Sequence, residues 1–137
     1  MLSTGKISYY EKGISNETII CLHGIGGDYE SFEPQVNGLS DKYRIISWNM
    51  PGYRDSKPLE QYSFENLSIA LNEFLLNLNL EKVNLMGQSI GGMLAQEFYY
   101  HYPKKVKSLI LIATTSAFGG KNQDFKKQFL EKRLKPI

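Results

Sequence analysis

The sequence predicts an α/β fold: a mostly parallel, twisted sheet with helices packed on both of its faces. Short apolar runs alternate along the chain with segments whose apolar residues recur at helical spacing. Short connections between such strands and helices produce right-handed βαβ units, and therefore parallel strand pairing. Most of the glycines follow the apolar runs directly, at the carboxyl ends of strands, where parallel sheets collect their ligand-binding loops. We therefore expect the chemistry at that rim of the sheet.

The first part of the chain predicts two strands and one short helix. Alternating apolar and polar residues over Ile7–Lys12 are typical of an antiparallel edge strand. The β-branched run Thr18–Leu22 indicates a strand buried on both faces, and its Cys21 is expected to be a small buried residue rather than a reactive thiol. Residues 31–39 predict a helix with Ser31 as its N-cap. The apolar side of this helix comprises Phe32, Val36 and Leu39.

The middle of the chain contains the clearest helix. Arg44–Trp48 is the next apolar strand, and Met50-Pro51-Gly52 closes it with a turn signal. Ser63 then opens a helix as its N-cap. The apolar residues of this helix recur at helical spacing, which predicts a buried stripe. The stripe consists of Leu67, Leu71, Phe74, Leu75 and Leu78.

The last part of the chain predicts two more strands around a helix. Residues 83–86 form an apolar strand, and residues 87–91 turn sharply from it into a helix. Residues 106–113 are a further apolar strand. After a Gly119-Gly120 break, residues 125–134 are basic and weakly amphipathic. A solvated helix face explains that charge better than a partner site.

The turn at residues 87–91, Gly87-Gln88-Ser89-Ile90-Gly91, matches the pattern G-x-S-x-G. A serine in this pattern sits on a tight strand-to-helix turn. Gly87 and Gly91 remove side chains that would clash with the neighbouring strand and helix. The serine hydroxyl is then exposed at a helix N-terminus, where backbone N–H groups favour developing negative charge. This context favours Ser89 as a nucleophile; the alternative is a helix-capping serine in a glycine-rich turn.

A second glycine-rich loop, residues 23–27, follows the first buried strand. A carbonyl under nucleophilic attack becomes an oxyanion, which needs two N–H donors aimed at it in advance. We expect one donor from Ile90, directly after the nucleophile. The other is expected from Ile25, with Gly26 as the second choice. The glycines of this loop let its backbone approach the substrate. They are Gly24, Gly26 and Gly27.

The same loop has two other interpretations. Its glycines could cradle a phosphate, but Tyr29 stands where the dinucleotide fingerprint G-x-G-x-x-G requires its third glycine, and the Walker pattern is also missing. His23 could act as a catalytic base, but a side chain at a strand end before a glycine loop more often supports that loop through hydrogen bonds. We therefore expect His23 to support the loop, and His101 to be a surface or packing residue.

Composition excludes several classes of function. Hydrophobic residues make up 42% and charged residues 22% of the 137 residues, and the formal net charge is +2. This balance gives no electrostatic footprint for nucleic acid or for an anionic membrane. The N-terminus lacks the apolar core of a signal peptide, and the longest apolar run, residues 109–113, is too short to span a bilayer. We expect a cytoplasmic protein that uses no metal and no cofactor.

Four stretches give the sequence a resemblance to the α/β-hydrolase superfamily: LHGIGG (22–27), WNMPGYRDS (48–56), VNLMGQSIGGMLAQEF (83–98) and YPKKVKSLILIAT (102–114). Within it, the chain resembles the branch of 3-oxoadipate enol-lactonase-like enzymes and related esterases and carbon–carbon hydrolases. The resemblance implies Ser89 as the nucleophile and Ile25 and Ile90 as oxyanion donors. It implies hydrolysis of small esters, lactones or related carbonyl substrates through an acyl-enzyme. It also implies that residues 1–115 are the N-terminal part of the core and that residues 116–137 begin a helical lid.

The sequence departs from that family at two points. Arg54 stands where the family usually has a glycine. The family's triad acid and histidine follow later strands, so we expect this chain to be truncated after the strand that follows the nucleophile helix. Asp28 and Asp55 are expected to be loop residues, and Asp124 is not expected to serve as the triad acid.

An incomplete sheet would leave strand 106–113 with an open apolar edge, which favours association. We therefore expect the chain to pair with its own missing C-terminal half or with itself. Alone it would be nearly inactive, because Ser89 lacks a base. Two alternatives stay open: a non-catalytic fragment or subunit completed by another chain, and a cofactor-free lyase or haloperoxidase-like enzyme of the same fold.

Overall fold

The protein is described by a computed structural model that covers residues 1–116, 124, 127 and 128. Over these residues the chain forms one sheet of six strands in the order β1-β2-β4-β3-β5-β6. The strands are β1 (Leu2–Thr4), β2 (Ile7–Lys12), β3 (Thr18–Leu22), β4 (Arg44–Trp48), β5 (Val83–Gln88) and β6 (Val106–Ile112).

Strand pairing confirms the predicted, mostly parallel sheet. β4, β3, β5 and β6 are parallel neighbours, whereas β1, β2 and β4 pair antiparallel. The prediction that Ile7–Lys12 is the edge strand was wrong, because β1 lies outside it and places Leu2 opposite Tyr9. A strand of three residues is too short to show an alternating pattern, so the sequence carried no signal for it.

Three helices connect these strands: α1 (Glu33–Leu39), α2 (Phe64–Asn77) and α3 (Ile90–His101). Ser63 caps α2 as predicted, and its hydroxyl oxygen accepts the Asn66 N–H. The prediction of Ser31 as a helix N-cap was wrong. A 3₁₀ turn over Tyr29–Phe32 precedes α1, and Asp28 caps that turn by accepting the Glu30 N–H. The Ser31 hydroxyl instead accepts the Asp28 N–H, which makes it the return half of a capping box.

The core lies on both faces of the sheet, as predicted for an α/β fold. Alternate residues of a strand point to opposite faces, and β3 shows this directly. Ile20 and Leu22 pack in a cluster with α2 and α3, whereas Ile19 and Cys21 pack with the residues around α1. The stripe predicted on α2 supplies Leu67, Leu71, Phe74 and Leu75 to the larger cluster, with Leu78 packed against it. Complete burial of each such side chain contributes about 1.5–3 kcal/mol.

β6 forms one border of the sheet within the described residues. It pairs with β5 on one side, and Ile110 and Leu111 are 36% and 44% exposed. Most of the predicted helix over 125–134 and most of the predicted lid over 116–137 lie outside the described residues. None of the helices in the described part of the chain combines the length and the apolar character needed to cross a membrane.

Candidate active site

Ser89 forms the turn between β5 and α3. Its backbone angles are φ 52 and ψ −119, a region that costs a non-glycine residue about 1–3 kcal/mol. The surrounding backbone holds it there. The Ser89 N–H donates to the Ile112 carbonyl at 3.0 Å, and the Thr114 hydroxyl donates to the Ser89 carbonyl at 2.6 Å. The result is an exposed serine directly before the first residue of a helix.

The two glycines of the G-x-S-x-G pattern permit a close approach of backbone to backbone. A Cβ atom at Gly87 would lie 2.4 Å from the Gly91 carbonyl oxygen, and a Cβ atom at Gly91 would lie 2.0 Å from the Leu22 carbonyl oxygen. Real Cβ atoms do not approach other atoms so closely. Any other residue at Gly91 would push α3 away from β3 and change the position of Ser89.

The loop after β3 lies beside Ser89. A Cβ atom at Gly24 would lie 3.4 Å from the Ser89 Cβ, so the two glycine-rich motifs meet. The loop turns tightly, because Gly26 has a φ of 77 and the Gly27 N–H donates to the Gly24 carbonyl at 3.1 Å. At its tip, the Ile25 side chain is 64% exposed.

Ile25 and Ile90 supply the two backbone N–H groups predicted as oxyanion donors. Ile90 is the first residue of α3, where a helix N–H has no partner one turn back. Among the turn, loop and cap hydrogen bonds between backbone groups of residues 1–116, none has the Ile25 N–H or the Ile90 N–H as its donor. Both residues flank Ser89, one in sequence and one through the neighbouring loop.

His23 is buried and supports the glycine loop, which confirms that prediction. Its Nδ1 donates to the Gly24 carbonyl at 2.8 Å, and its Nε2 accepts the Met50 N–H at 3.0 Å. These partners fix the neutral tautomer with the proton on Nδ1. Burial lowers the pKa of His23, against smaller opposing effects from the Gly24 carbonyl and Asp28. Both ring nitrogens are engaged, so the imidazole is not free to take a proton from Ser89.

A buried polar network fixes the loop after β4. The Ser56 hydroxyl donates to the Asn49 carbonyl at 2.7 Å, and the Asn49 amide donates to the Ser8 hydroxyl at 2.8 Å. The Asn49 side-chain oxygen also accepts the Tyr29 N–H at 3.0 Å. These residues were not predicted from the sequence. A polar residue directly after an apolar strand, as Asn49 is after β4, was the available signal.

Arg54 takes a backbone conformation that suits glycine, with a φ of 48. Its guanidinium donates to the Asp28 carboxylate at 2.7 Å and lies 3.4 Å from Glu30. The guanidinium also stands 5.8 Å from the centre of the Tyr29 ring. Burial raises the pKa of Asp28, but the Glu30 N–H and the Arg54 cation outweigh it, and the pKa is lowered. Asp28 and Asp55 are loop residues, as predicted.

An apolar cavity of about 470 Å³ opens beside this site. Ile25 and Ile90, the residues whose N–H groups are predicted as oxyanion donors, are part of its lining. The loop after β4 and the start of α2 form its other walls. Its lining residues are Ile25, Met50, Pro51, Gly52, Tyr53, Tyr62, Ser63, Phe64, Leu67 and Ile90.

The remaining candidates from the sequence are engaged elsewhere. His101 is exposed and lies 3.0 Å from the Glu97 carboxylate on the same helix, which confirms a surface position. Cys21 is fully buried, and burial raises the pKa of its thiol to about 12, so it is not a reactive thiolate. In the described part of the chain, no three His, Cys, Asp or Glu side chains are grouped to hold a metal ion.

Comparison with known proteins gives consistent matches to one fold. The profile of the alpha/beta hydrolase fold matches residues 17–134. A poly(3-hydroxyalkanoate) depolymerase of Ectopseudomonas oleovorans is 33% identical over 99 residues, which cover 72% of this chain and 35% of that protein. A putative 2-succinyl-6-hydroxy-2,4-cyclohexadiene-1-carboxylate synthase of Bacillus subtilis is 36% identical over 104 residues, which cover 74% of this chain and 38% of that protein.

Among solved structures, an esterase from a marine microorganism superposes with a TM-score of 0.84 at 29% identity, over 98% of this chain and 52% of that one. The chain therefore spans little more than a third of the two curated relatives and about half of this esterase. The order of strands, the serine turn and the family profile agree, and this chain belongs to the alpha/beta hydrolase fold family.

Proposed function

We propose that this chain carries the nucleophile and the oxyanion-binding loop of a serine hydrolase that acts on small esters or lactones. The observation that carries the proposal is the backbone of Ser89, held at φ 52 between a strand and a helix with its side chain exposed. A strained conformation persists only where the surrounding structure enforces it, and such positions cluster at functional sites. Membership of the family and the approach of Gly24 to Ser89 support the same conclusion.

In the proposed reaction, Ser89 Oγ attacks the substrate carbonyl and forms a tetrahedral intermediate. The Ile25 and Ile90 N–H groups bind its oxyanion. Collapse of the intermediate expels the alcohol and leaves an acyl group on Ser89, which water then removes as the free acid. A general base must take the serine proton and return it to the leaving alcohol.

Neither of the chain's two histidines meets the requirements of that base. His23 is bonded through both ring nitrogens, and His101 is exposed beside Glu97. We propose that the base and the acid that orients it come from polypeptide beyond residues 1–137. The greater length of the relatives supports this part of the proposal. Without the base, an oxyanion hole and substrate binding still accelerate such reactions about 10³-fold over water.

A second candidate is a lyase or synthase of the same fold. The relative from Bacillus subtilis, described as a putative synthase, favours it. The two proposals differ in one respect that can be measured. A hydrolase of the proposed kind forms a covalent acyl group on Ser89, and ester turnover depends on that hydroxyl.

The test is covalent labelling with a fluorophosphonate of the protein completed by the polypeptide that we propose supplies the base, followed by peptide mass spectrometry and by p-nitrophenyl acetate hydrolysis. We expect the phosphonyl group on the peptide that contains Ser89. Ser89→Ala should remove the label and lower kcat by at least about 10³-fold. Ser3→Ala, at an exposed serine of β1, is the matched control and should keep both. Label on another residue, or unchanged turnover in Ser89→Ala, would overturn the proposal.

A further inference from the structure

The cavity beside Ser89 is lined mostly by apolar side chains, and none of its lining side chains is charged. We propose that it selects substrates whose variable group is uncharged and apolar, and that it rejects carboxylate-bearing substrates of the same size. This inference rests on the function proposed above and names the substrate class for the same site. Its volume of about 470 Å³ lies within the range of about 300–1,000 Å³ typical of pockets for small ligands.

The lining carries no formal charge. No Asp, Glu, Lys, Arg or His is among the described residues that form the walls. Hydrocarbon or thioether side chains form most of the surface, from Ile25 and Ile90 at one end to Leu67 and Phe64 on α2. Leu67 is 5% exposed, so the floor is continuous with the protein core.

Three hydroxyl-bearing side chains line the cavity, and each hydroxyl oxygen already has a protein partner. Tyr53 Oη accepts the Gly26 N–H at 3.4 Å. Ser63 Oγ accepts the Asn66 N–H at 3.0 Å, which caps α2. Tyr62 Oη has two backbone partners. Because the Tyr53 and Ser63 hydroxyls accept in these bonds, their O–H groups can still donate, so the lining offers a carboxylate neutral donors but no cation.

Tyr62 is fixed against the loop after β4. Its hydroxyl donates to the Pro51 carbonyl at 3.0 Å and accepts the Leu59 N–H at 3.3 Å. Gly52, with a φ of 87, makes room for this contact, because a Cβ atom there would lie 2.4 Å from the Tyr62 hydroxyl oxygen. The hydroxyl is therefore occupied on both sides, and the ring presents its carbon atoms to the cavity.

Two positive features near the cavity are already neutralised. The Arg54 guanidinium is bound to Asp28 and lies close to Glu30. The N-terminal end of α2 is capped by Ser63 and carries Glu65 in its first turn, which offsets the helix dipole. A carboxylate that entered the cavity would lose its hydration and gain no charged partner, whereas a methyl group would lose nothing.

The test measures binding rather than turnover, so that it is independent of Ser89 chemistry. Hexanamide and 6-amino-6-oxohexanoate have the same carbon chain, and the second replaces the terminal methyl with a carboxylate. Each is titrated into the ¹⁵N-labelled full chain at pH 7, and chemical shifts are followed at Phe64, Leu67 and Ile90. We expect Kd for hexanamide to be at least about tenfold lower, with the shifts centred on these amides.

Phe64→Lys places a cation in the wall and should reverse the preference toward 6-amino-6-oxohexanoate. Ile69→Lys adds the same charge on α2 at a residue that is 43% exposed and does not line the cavity, and it should keep the wild-type preference. Equal or tighter binding of the carboxylate by the wild type, or shifts located elsewhere, would overturn the inference. Loss of the proposed serine chemistry would leave these binding results unchanged, so the two failures are distinguishable.

Discussion

The ring of His23 joins two loops by accepting the Met50 backbone N–H at 3.0 Å. Its other nitrogen donates to the Gly24 carbonyl, so one buried side chain sets the distance between the loop beside Ser89 and a wall of the cavity. The ring also meets Tyr53 edge to face, with their centres 4.8 Å apart. The geometry of the candidate site therefore depends on the neutral state of this imidazole.

Acidification should destabilise the protein through His23. Burial lowers its pKa in the folded state below the ordinary value of 6.5. Near pH 6.5 the unfolded chain therefore takes up a proton on His23, whereas the folded chain does so only at lower pH. The contribution of neutral His23 to the free energy of unfolding is fully present above that pH and is lost as the pH drops below it. Urea unfolding between about pH 5.5 and 7.5 would measure this slope.

Two substitutions assign that slope to one residue. His23→Gln should flatten it, whereas His101→Gln, at the exposed histidine beside Glu97, should leave it intact. His23→Ala should also cost about 1–3 kcal/mol at pH 8, because it leaves the buried Met50 N–H without an acceptor. An unchanged slope in His23→Gln would show that other groups cause the pH dependence.

Substitution of Gly91 by alanine should disrupt the serine turn. The new Cβ would lie 2.0 Å from the Leu22 carbonyl oxygen, so backbone must move, and we expect a loss of at least about 2 kcal/mol in unfolding free energy. Gly38→Ala is the matched control, because a methyl group added to this residue of α1 would have no atom within 4 Å. That change should be neutral or stabilise by up to about 1 kcal/mol. Equal stabilities of the two variants in urea would contradict the steric argument.

Local patterns predicted the elements that carry the site, because a strand, a helix stripe and the G-x-S-x-G turn each lie within a short segment. Contacts between distant segments were not predictable from such patterns. The Ser8 and Ser56 hydroxyls meet although 48 residues separate them, and neither residue differs locally from any other serine. Arg54 was recognised as a departure from glycine, but its ion pair with Asp28 depends on two loops that only the folded chain brings together.

Arg54→Ala should be less stable than Arg54→Gly. Arg54 has a φ of 48, a conformation that costs an L-residue about 1–2 kcal/mol and costs glycine almost nothing. Both substitutions remove the partly exposed ion pair with Asp28, worth at most about 1 kcal/mol. Alanine keeps the backbone strain, whereas glycine relieves it, so the glycine variant should lie within about 1 kcal/mol of wild type. Denaturant midpoints in low and high salt would test this order, and a less stable glycine variant would refute it.

The border strand β6 should promote association of the 137-residue chain expressed alone. Ile110 and Leu111 are 36% and 44% exposed on a strand whose outer side has no partner strand among residues 1–116. Unpaired apolar edges of this kind template pairing with another chain. Size-exclusion chromatography should show dimers or larger species, and Leu111→Lys should shift the protein toward monomer. Ile69→Lys, at an equally exposed apolar residue on α2, should not. A wild-type chain that elutes as a monomer at every concentration would show that this edge is already protected.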